Sequence, residues 1–286
     1  MALSHKLGVT QRPDEPRYAT DAMLVSTPAA GLRDLVGRYC GFSEETGRTT
    51  RRREGPGPEV VVILSFGNEW RIGGALDASP RLEPLTSFVG GLRDTSVITE
   101  HDGQAAGIQI DLTPLAAHML FKLPMHALAE RNLPLDALIH GSDLLVEQLY
   151  EAGSWDERFH LIDLELSSRF EAAPPPTPGV VWAWARLRDT RGRAAVGALA
   201  EELGWSRRRL VARFREEIGL PPKAVARLLR FKHALELVDR GAPWAQVAVT
   251  AGYYDQSHLI NEFRSITGIT PARYVTNLQD GAEIAA

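Results

Sequence analysis

Residues 210–222 return at 259–271 with a fixed offset. Leu210, Phe214, Arg215, Gly219 and Pro222 recur as Leu259, Phe263, Arg264, Gly268 and Pro271, each 49 positions on. Upstream, Ala-Glu-Glu-Leu-Gly at 200–204 matches Ala-Val-Thr-Ala-Gly at 248–252 with an offset of 48, which puts one extra residue in the second copy's turn. A solenoid needs about three or more stacked repeats to bury a continuous core. Two copies separated by a long segment instead specify a pair of like units. Each copy reads as a short helix ending at Gly204 or Gly252, then a turn, then a helix capped by Ser206 or Asp255. The segment between them, Lys223 to Gly241, carries apolar residues at Val225, Leu228, Leu229, Ala234, Leu235 and Val238. As a helix it spans roughly 27 Å. Successive major-groove segments on one face of DNA lie about 34 Å apart, so a connector of this length sets two readers at a compatible spacing.

At 100° per residue, Leu210, Val211, Phe214 and Ile218 form the buried stripe of the first unit's second helix, and Arg208, Arg209, Ala212 and Glu216 face away. In the second unit Leu259, Ile260, Phe263 and Ile266 are buried, which turns Ser257, His258, Asn261 and Ser265 outward. Arg207, Arg208 and Arg209 occupy the first turn after Ser206. A cation there opposes the helix dipole at a cost of roughly 0.3–1 kcal/mol when exposed. An external polyanion removes that cost. Arginine bonds bidentately to guanine and asparagine to adenine, and the small Ala212 permits close approach. Arg213 suits a surface ion pair with Glu216 or Glu217 as well as it suits a phosphate contact.

The formal net charge of −4 over 286 residues hides an asymmetry. Residues 1–178 hold 16 Lys and Arg against 25 Asp and Glu, a net −9, whereas residues 179–286 hold 16 against 11, a net +5. The sign changes at Pro174-Pro175-Pro176-Thr177-Pro178, which reads as a stiff, extended linker between an acidic and a basic module. The lone Cys40 excludes a disulfide within the chain and fits a reducing compartment. The opening MALSHKLGVTQRPDEPRY lacks the apolar region of a secretory signal, and no run of 18 apolar residues occurs, so the expected location is cytoplasmic with no membrane partner.

With these features in hand, residues Val180 to Val275 resemble the DNA-binding domain of the AraC/XylS family of bacterial transcription regulators. The stretch GYYDQSHLINEFRSITGITPARY, from Gly252 to Tyr274, is similar to that family's C-terminal signature almost throughout. The resemblance implies base-reading roles for Arg208, Val211 and Ala212 in the first unit and for Gln256, Ser257, His258 and Asn261 in the second. Arg207 and Arg209 complete the expected DNA-binding set, Arg207 through phosphate. The first half is similar to the sensor domains of these regulators, commonly small cupin-type β-barrels followed by helices. The resulting expectation is an α+β chain. It has a sensor or dimerisation domain at 1–173, β-rich to about 112 and helical after, a Pro-rich linker at 174–179, a double helix-turn-helix domain at 180–275 and a tail at 276–286. The implied partners are promoter DNA, a small-molecule effector, a second copy of the chain and RNA polymerase.

Local patterns in the first half agree with that order. Val60-Val61-Val62-Ile63-Leu64-Ser65-Phe66 reads as a buried strand and Gly107–Leu112 as an alternating one. Helix starts follow at Thr113-Pro114, at Ser142 and at a capping box from Ser154 to Glu157. The basic run Arg48, Arg51, Arg52 and Arg53, beside Gly55-Pro56-Gly57-Pro58, reads either as a solvated loop or as a site for an anionic effector. Trp70 and Phe66 read as core. The eight histidines show neither a zinc-type spacing nor the close His-x-His pair of a metal cupin. Nucleophile elbows, phosphate-binding glycine loops and cysteine clusters are also missing from the sequence. The expectation is therefore a protein that is not an enzyme, with no metal and no cofactor. A second reading makes the paired units a protein-interaction module that acts on the transcription machinery without DNA specificity of its own.

Overall fold

The computed structural model describes residues 22–76 and 80–274. The expected tail at 276–286 and the opening 18 residues lie outside the described residues. Among the described residues the strands are β1 Ala22–Ser26, β2 Val36–Glu45, β3 Thr50–Glu54, β4 Val60–Ser65, β5 Trp70–Gly74, β6 Glu83–Leu85, β7 Phe88–Gly90, β8 Val97–His101, β9 Gln104–Leu112 and, after one helix, β10 Asn132–Pro134. The helices are α1 Pro114–Phe121, α2 Ser142–Glu151, α3 Trp155–Glu171, α4 Pro178–Asp189, α5 Val196–Glu202, α6 Arg207–Glu217, α7 Pro222–Asp239, α8 Trp244–Ala251 and α9 Gln256–Thr267. This is the expected α+β order of sheets followed by helices.

The strands form two antiparallel ladders, β1-β2-β9-β4-β7-β10 and β3-β8-β5-β6. They do not close into a single barrel. The unbroken apolar run of β4 follows from burial on both faces: Val60, Val62 and Leu64 point into the main core, while Ile63 packs with Ile72 and Phe88 toward the smaller sheet. The long β2–β9 ladder is covered by α3, whose Trp155 ring lies on Gly41; a Cβ there would come within 2.3 Å of the indole. Tyr39 of β2 reaches the same helix, its hydroxyl donating to Asp163 at 2.8 Å. Burial and that carboxylate push the phenol's pKa well up.

Helix starts mostly follow the sequence signals. Thr113 accepts from the Ala116 amide, and Ser154 accepts from the Glu157 amide while the Glu157 carboxylate takes the Gly153 amide at 2.8 Å. Ser142 differs: it is the first residue of α2, the cap is Gly141 in the left-handed region, and the hydroxyl is buried. The C-terminal carbonyls of α2 and the chain beyond it are held by Arg158, only 2% exposed, which donates to Leu149 O at 2.7 Å and Ala152 O at 2.9 Å and lies over Trp155.

The Pro-rich stretch is extended only to Thr177, since α4 begins at Pro178, a position where proline's missing N–H costs nothing. The main apolar core crosses it. One contiguous cluster runs from Leu32 and Tyr39 through α1 and α3 to Trp184 of α4, Leu210 and Phe214 of α6, and Leu228 of α7. The second unit has cores of its own, around Val247, Ala251 and Leu259 on one side of α9 and Phe231, Phe263 and Ile266 on the other.

Candidate nucleic-acid interface

Both repeats fold as helix, turn, helix: α5 with α6 and α8 with α9, joined by α7. The turn glycines that the repeat marks adopt positive φ, +63° at Gly204 and +84° at Gly252, where a side chain would be strained. The capping hydroxyl of Ser206 accepts from the Arg209 amide at 3.2 Å, and Asp255 Oδ1 accepts from the His258 amide at 2.7 Å. Leu210, Phe214 and Ile218 in the first unit, and Leu259, Phe263 and Ile266 in the second, are fully buried. Val211 is half-buried at the edge of the stripe, as its wheel position requires, and Ala212 is exposed.

The three arginines of α6 separate into distinct environments. Arg207 is exposed and its guanidinium lies over Gly197 of α5, where a Cβ would stand 2.9 Å from Nη2. Arg209 stacks on the Trp205 ring with its Cζ 4.6 Å from the centroid. Arg208, also exposed, stands between them on the rim of a groove of about 580 Å³ with Val211, Ala212 and Arg215. The opposite wall belongs to the first half of the chain: His126, Ala129 and Glu130, from the 3₁₀ turn Met125–Ala127 and the residues after it. His126 Nδ1 is 4.0 Å from the Glu216 carboxylate. Glu217, 2% exposed, turns instead to the linker and accepts from the Thr177 amide at 2.8 Å. Neither glutamate is shown pairing with Arg213.

The outward face of α9 is open. Gln256, Ser257, His258 and Asn261 are all exposed. The His258 ring is oriented by the turn before it: the Tyr254 amide donates to Nδ1 at 3.3 Å, and the ring meets Tyr253 edge-on at 5.4 Å. With Nδ1 accepting, a neutral imidazole carries its proton on Nε2 and presents a donor outward. Ser265, also expected on this face, is engaged by the connecting helix: its hydroxyl accepts from Arg227 and donates to Glu262 O.

Three basic residues of α7, Arg227, Arg230 and Lys232, meet carboxylates, while Lys223 at its start is exposed. Lys232 pairs with Glu59, and Arg227 Nη1 lies 3.3 Å from Asp94. Arg227 and Arg230 also flank Glu262 at 3.7 and 3.8 Å. Burial and the nearby Glu262 carboxylate keep the Tyr253 phenol protonated, its pKa pushed well up. Of the basic run of the first half, Arg48 lies in the bend between β2 and β3, and the other three are in a strand. Arg51, Arg52 and Arg53 lie on β3, Arg52 forks onto Glu44, and Arg53 Nη1 donates to Thr267 O of α9 at 3.0 Å. Cys40 is buried and free, and burial raises its thiol pKa, which keeps it in the unreactive form.

The sequence did not point to His126, Glu130 or Thr177 as neighbours of α6. Their contacts join residues far apart in the chain, and no local pattern records such pairings. Tyr254, 90% exposed at the tip of the turn before α9, did carry a signal, since it is an aromatic in a turn with no core position to fill.

Two capped recognition helices, each with an exposed polar face and joined by one long helix, define the class: a paired helix-turn-helix DNA-binding domain. Residues 199–277 match the family model described as a helix-turn-helix domain, and the domain is of AraC type. No curated protein matches the chain. Among solved structures, the chain is similar to ToxT from Vibrio cholerae, with 10% identity, a TM-score of 0.48 and coverage of 83% of this chain and 97% of that one. It is also similar to ToxT from Vibrio cholerae with an unsaturated fatty acid bound (12%, 0.44, 90% and 96%). The AraC-like transcriptional activator CuxR follows at 15% identity, a TM-score of 0.25 and coverage of 76% and 87%. Among the described residues, no helix is long and apolar enough to cross a membrane.

Proposed function

We propose that this chain is a cytoplasmic, sequence-specific transcription regulator that reads a promoter site with α6 and α9, while residues 1–173 sense an effector or join two copies. One observation carries the reading. Two separately capped helices hold polar side chains outward on the same faces that the repeat relates, Arg208 on one and Ser257, His258 and Asn261 on the other. Arg208 supplies a fork for guanine, Asn261 an amide for adenine and His258 an Nε2 donor for a base or phosphate acceptor. Arg207 and Arg209, braced on Gly197 and Trp205, flank the reader and suit phosphate, which positions without specifying. The small Ala212, the half-buried Val211 and the first-turn Gln256 border these contacts.

Selection from random duplexes with the full chain, followed by titration of the recovered site, tests this. With about six phosphates neutralised, log affinity falls against log salt with a slope near −5. Equal affinity for random and recovered DNA would leave a protein-interaction module, and binding of RNA polymerase without DNA would then be the function to pursue.

A further inference from the structure

The last turn of α9 is completed by the other half of the molecule. A helix ends with carbonyls that have no partner within it, and in α9 the two at Ile266 and Thr267 belong to residues with no exposed surface. The Ser96 amide donates to Ile266 O at 2.9 Å, and Arg53 Nη1 donates to Thr267 O at 3.0 Å and to Ala75 O at 2.9 Å. A guanidinium at this end also meets the negative pole of the helix dipole, and its bonds are of the stronger, charge-assisted kind. The seat is tight. Gly268, the C-cap at φ +75°, has Leu76 Cδ2 3.0 Å and Arg53 Nη1 3.4 Å from where a Cβ would be. From the same loop as Ser96, Asp94 holds Arg227, which bonds Ser265 of that last turn.

We propose that Arg53 is a positioning residue for DNA reading: by clamping the C-terminus of α9 to the small sheet, it fixes the angle at which that helix presents Ser257, His258 and Asn261. This rests on the DNA-reading role given above. Twelve residues make a rod of about 18 Å, so a tilt of about 5° at the clamped end moves the reading end by roughly 1.5 Å. Hydrogen bonds to base edges hold over a range of only about 0.5 Å, near 2.7–3.2 Å. The end of α6 also packs on the first half, at Met125 and His126, but among the described residues it receives no such hydrogen bond on its last carbonyls, and Ile218 N and Gly219 N close back onto Phe214 O. The effect of Arg53 therefore falls on one half-site.

The test uses the full chain as wild type, Arg53→Met and Arg53→Lys, with the selected site and a panel of single base-pair changes in each half. The halves are assigned to α6 and α9 by Arg208→Ala and Asn261→Ala. Arg53→Met is expected to weaken binding to the full site roughly five- to tenfold, as loss of one charge-assisted bond implies. It should flatten discrimination across the α9 half-site and leave the α6 half-site as in wild type. Arg53→Lys, which keeps the cation, should restore most of the loss. Equal losses in both halves, or none in either, overturn the clamp. If Arg53→Met does not fold, Asp94→Ala releases the second tether and is expected to show the same one-sided pattern, with a two-sided or null result again overturning it. A chain that selects no motif overturns the DNA-reading role itself, which distinguishes that failure from failure of the clamp.

Discussion

At the scale of single residues, three consecutive arginines of one helical turn have three separate settings. The repeat and the wheel placed Arg208 outward, and it stands exposed on the groove rim. Sequence could not show that Arg207 leans on Gly197, because that contact depends on how α5 crosses α6, whereas Arg209 stacks on Trp205 only four residues before it. Arg208→Ala is expected to cost about 1–3 kcal/mol on the preferred site, measured by equilibrium binding, with affinity for random DNA nearly unchanged. A second residue-scale prediction concerns Glu44. Burial alone would raise its pKa, but His101 at 3.6 Å and the Arg52 fork outweigh that and hold it at about 2. A depressed folded pKa stabilises the protein above the ordinary value of 4.5, and this contribution is lost as pH falls toward 2. Wild type should therefore lose on the order of 3 kcal/mol more than Glu44→Gln between pH 5 and pH 2, read by urea denaturation.

At the scale of elements, the signals that rest on local chemistry were legible and those that rest on long-range packing were not. Ser206, Asp255, Thr113 and Ser154 all cap the helices they were expected to cap, since a side-chain oxygen two or three residues ahead of an amide needs no distant partner. Ser142 lost that role because Gly141 takes the turn with φ +77° and the hydroxyl is buried. Arg51 to Arg53 read as a glycine-flanked loop but fold as β3, because pairing with β8 decides the matter. Ser206→Ala should destabilise the first unit by about 1 kcal/mol, seen as faster amide exchange in the first turn of α6. Phe263→Ala removes a ring that meets Phe231, Trp244 and Tyr274, and should cost about 3–5 kcal/mol in thermal or chemical denaturation of the second unit.

At the scale of the whole molecule, the charge break at the prolines marks a real change of composition but not an edge of the core. Leu210 and Phe214 share their cluster with Leu115, Leu120 and Met125, so the first unit packs on the N-terminal half, while the second unit buries itself and is tied by Arg53, Asp94, Ser96 and Glu59. A fragment of residues 174–286 should accordingly lose amide protection in α6 more than in α8, as hydrogen exchange would show. The wall of His126, Ala129 and Glu130 stands beside Arg208, whereas Asn261 is exposed on α9, so the two outward faces have different surroundings. The central claim is that both faces read sequence. Selection from random duplexes with the full-length wild type, Arg208→Ala and Asn261→Ala measures it most directly. The account predicts a two-part motif in wild type, with each variant losing information in a different part and keeping the other. Profiles indistinguishable from wild type in both variants, or no enriched motif at all, would contradict it.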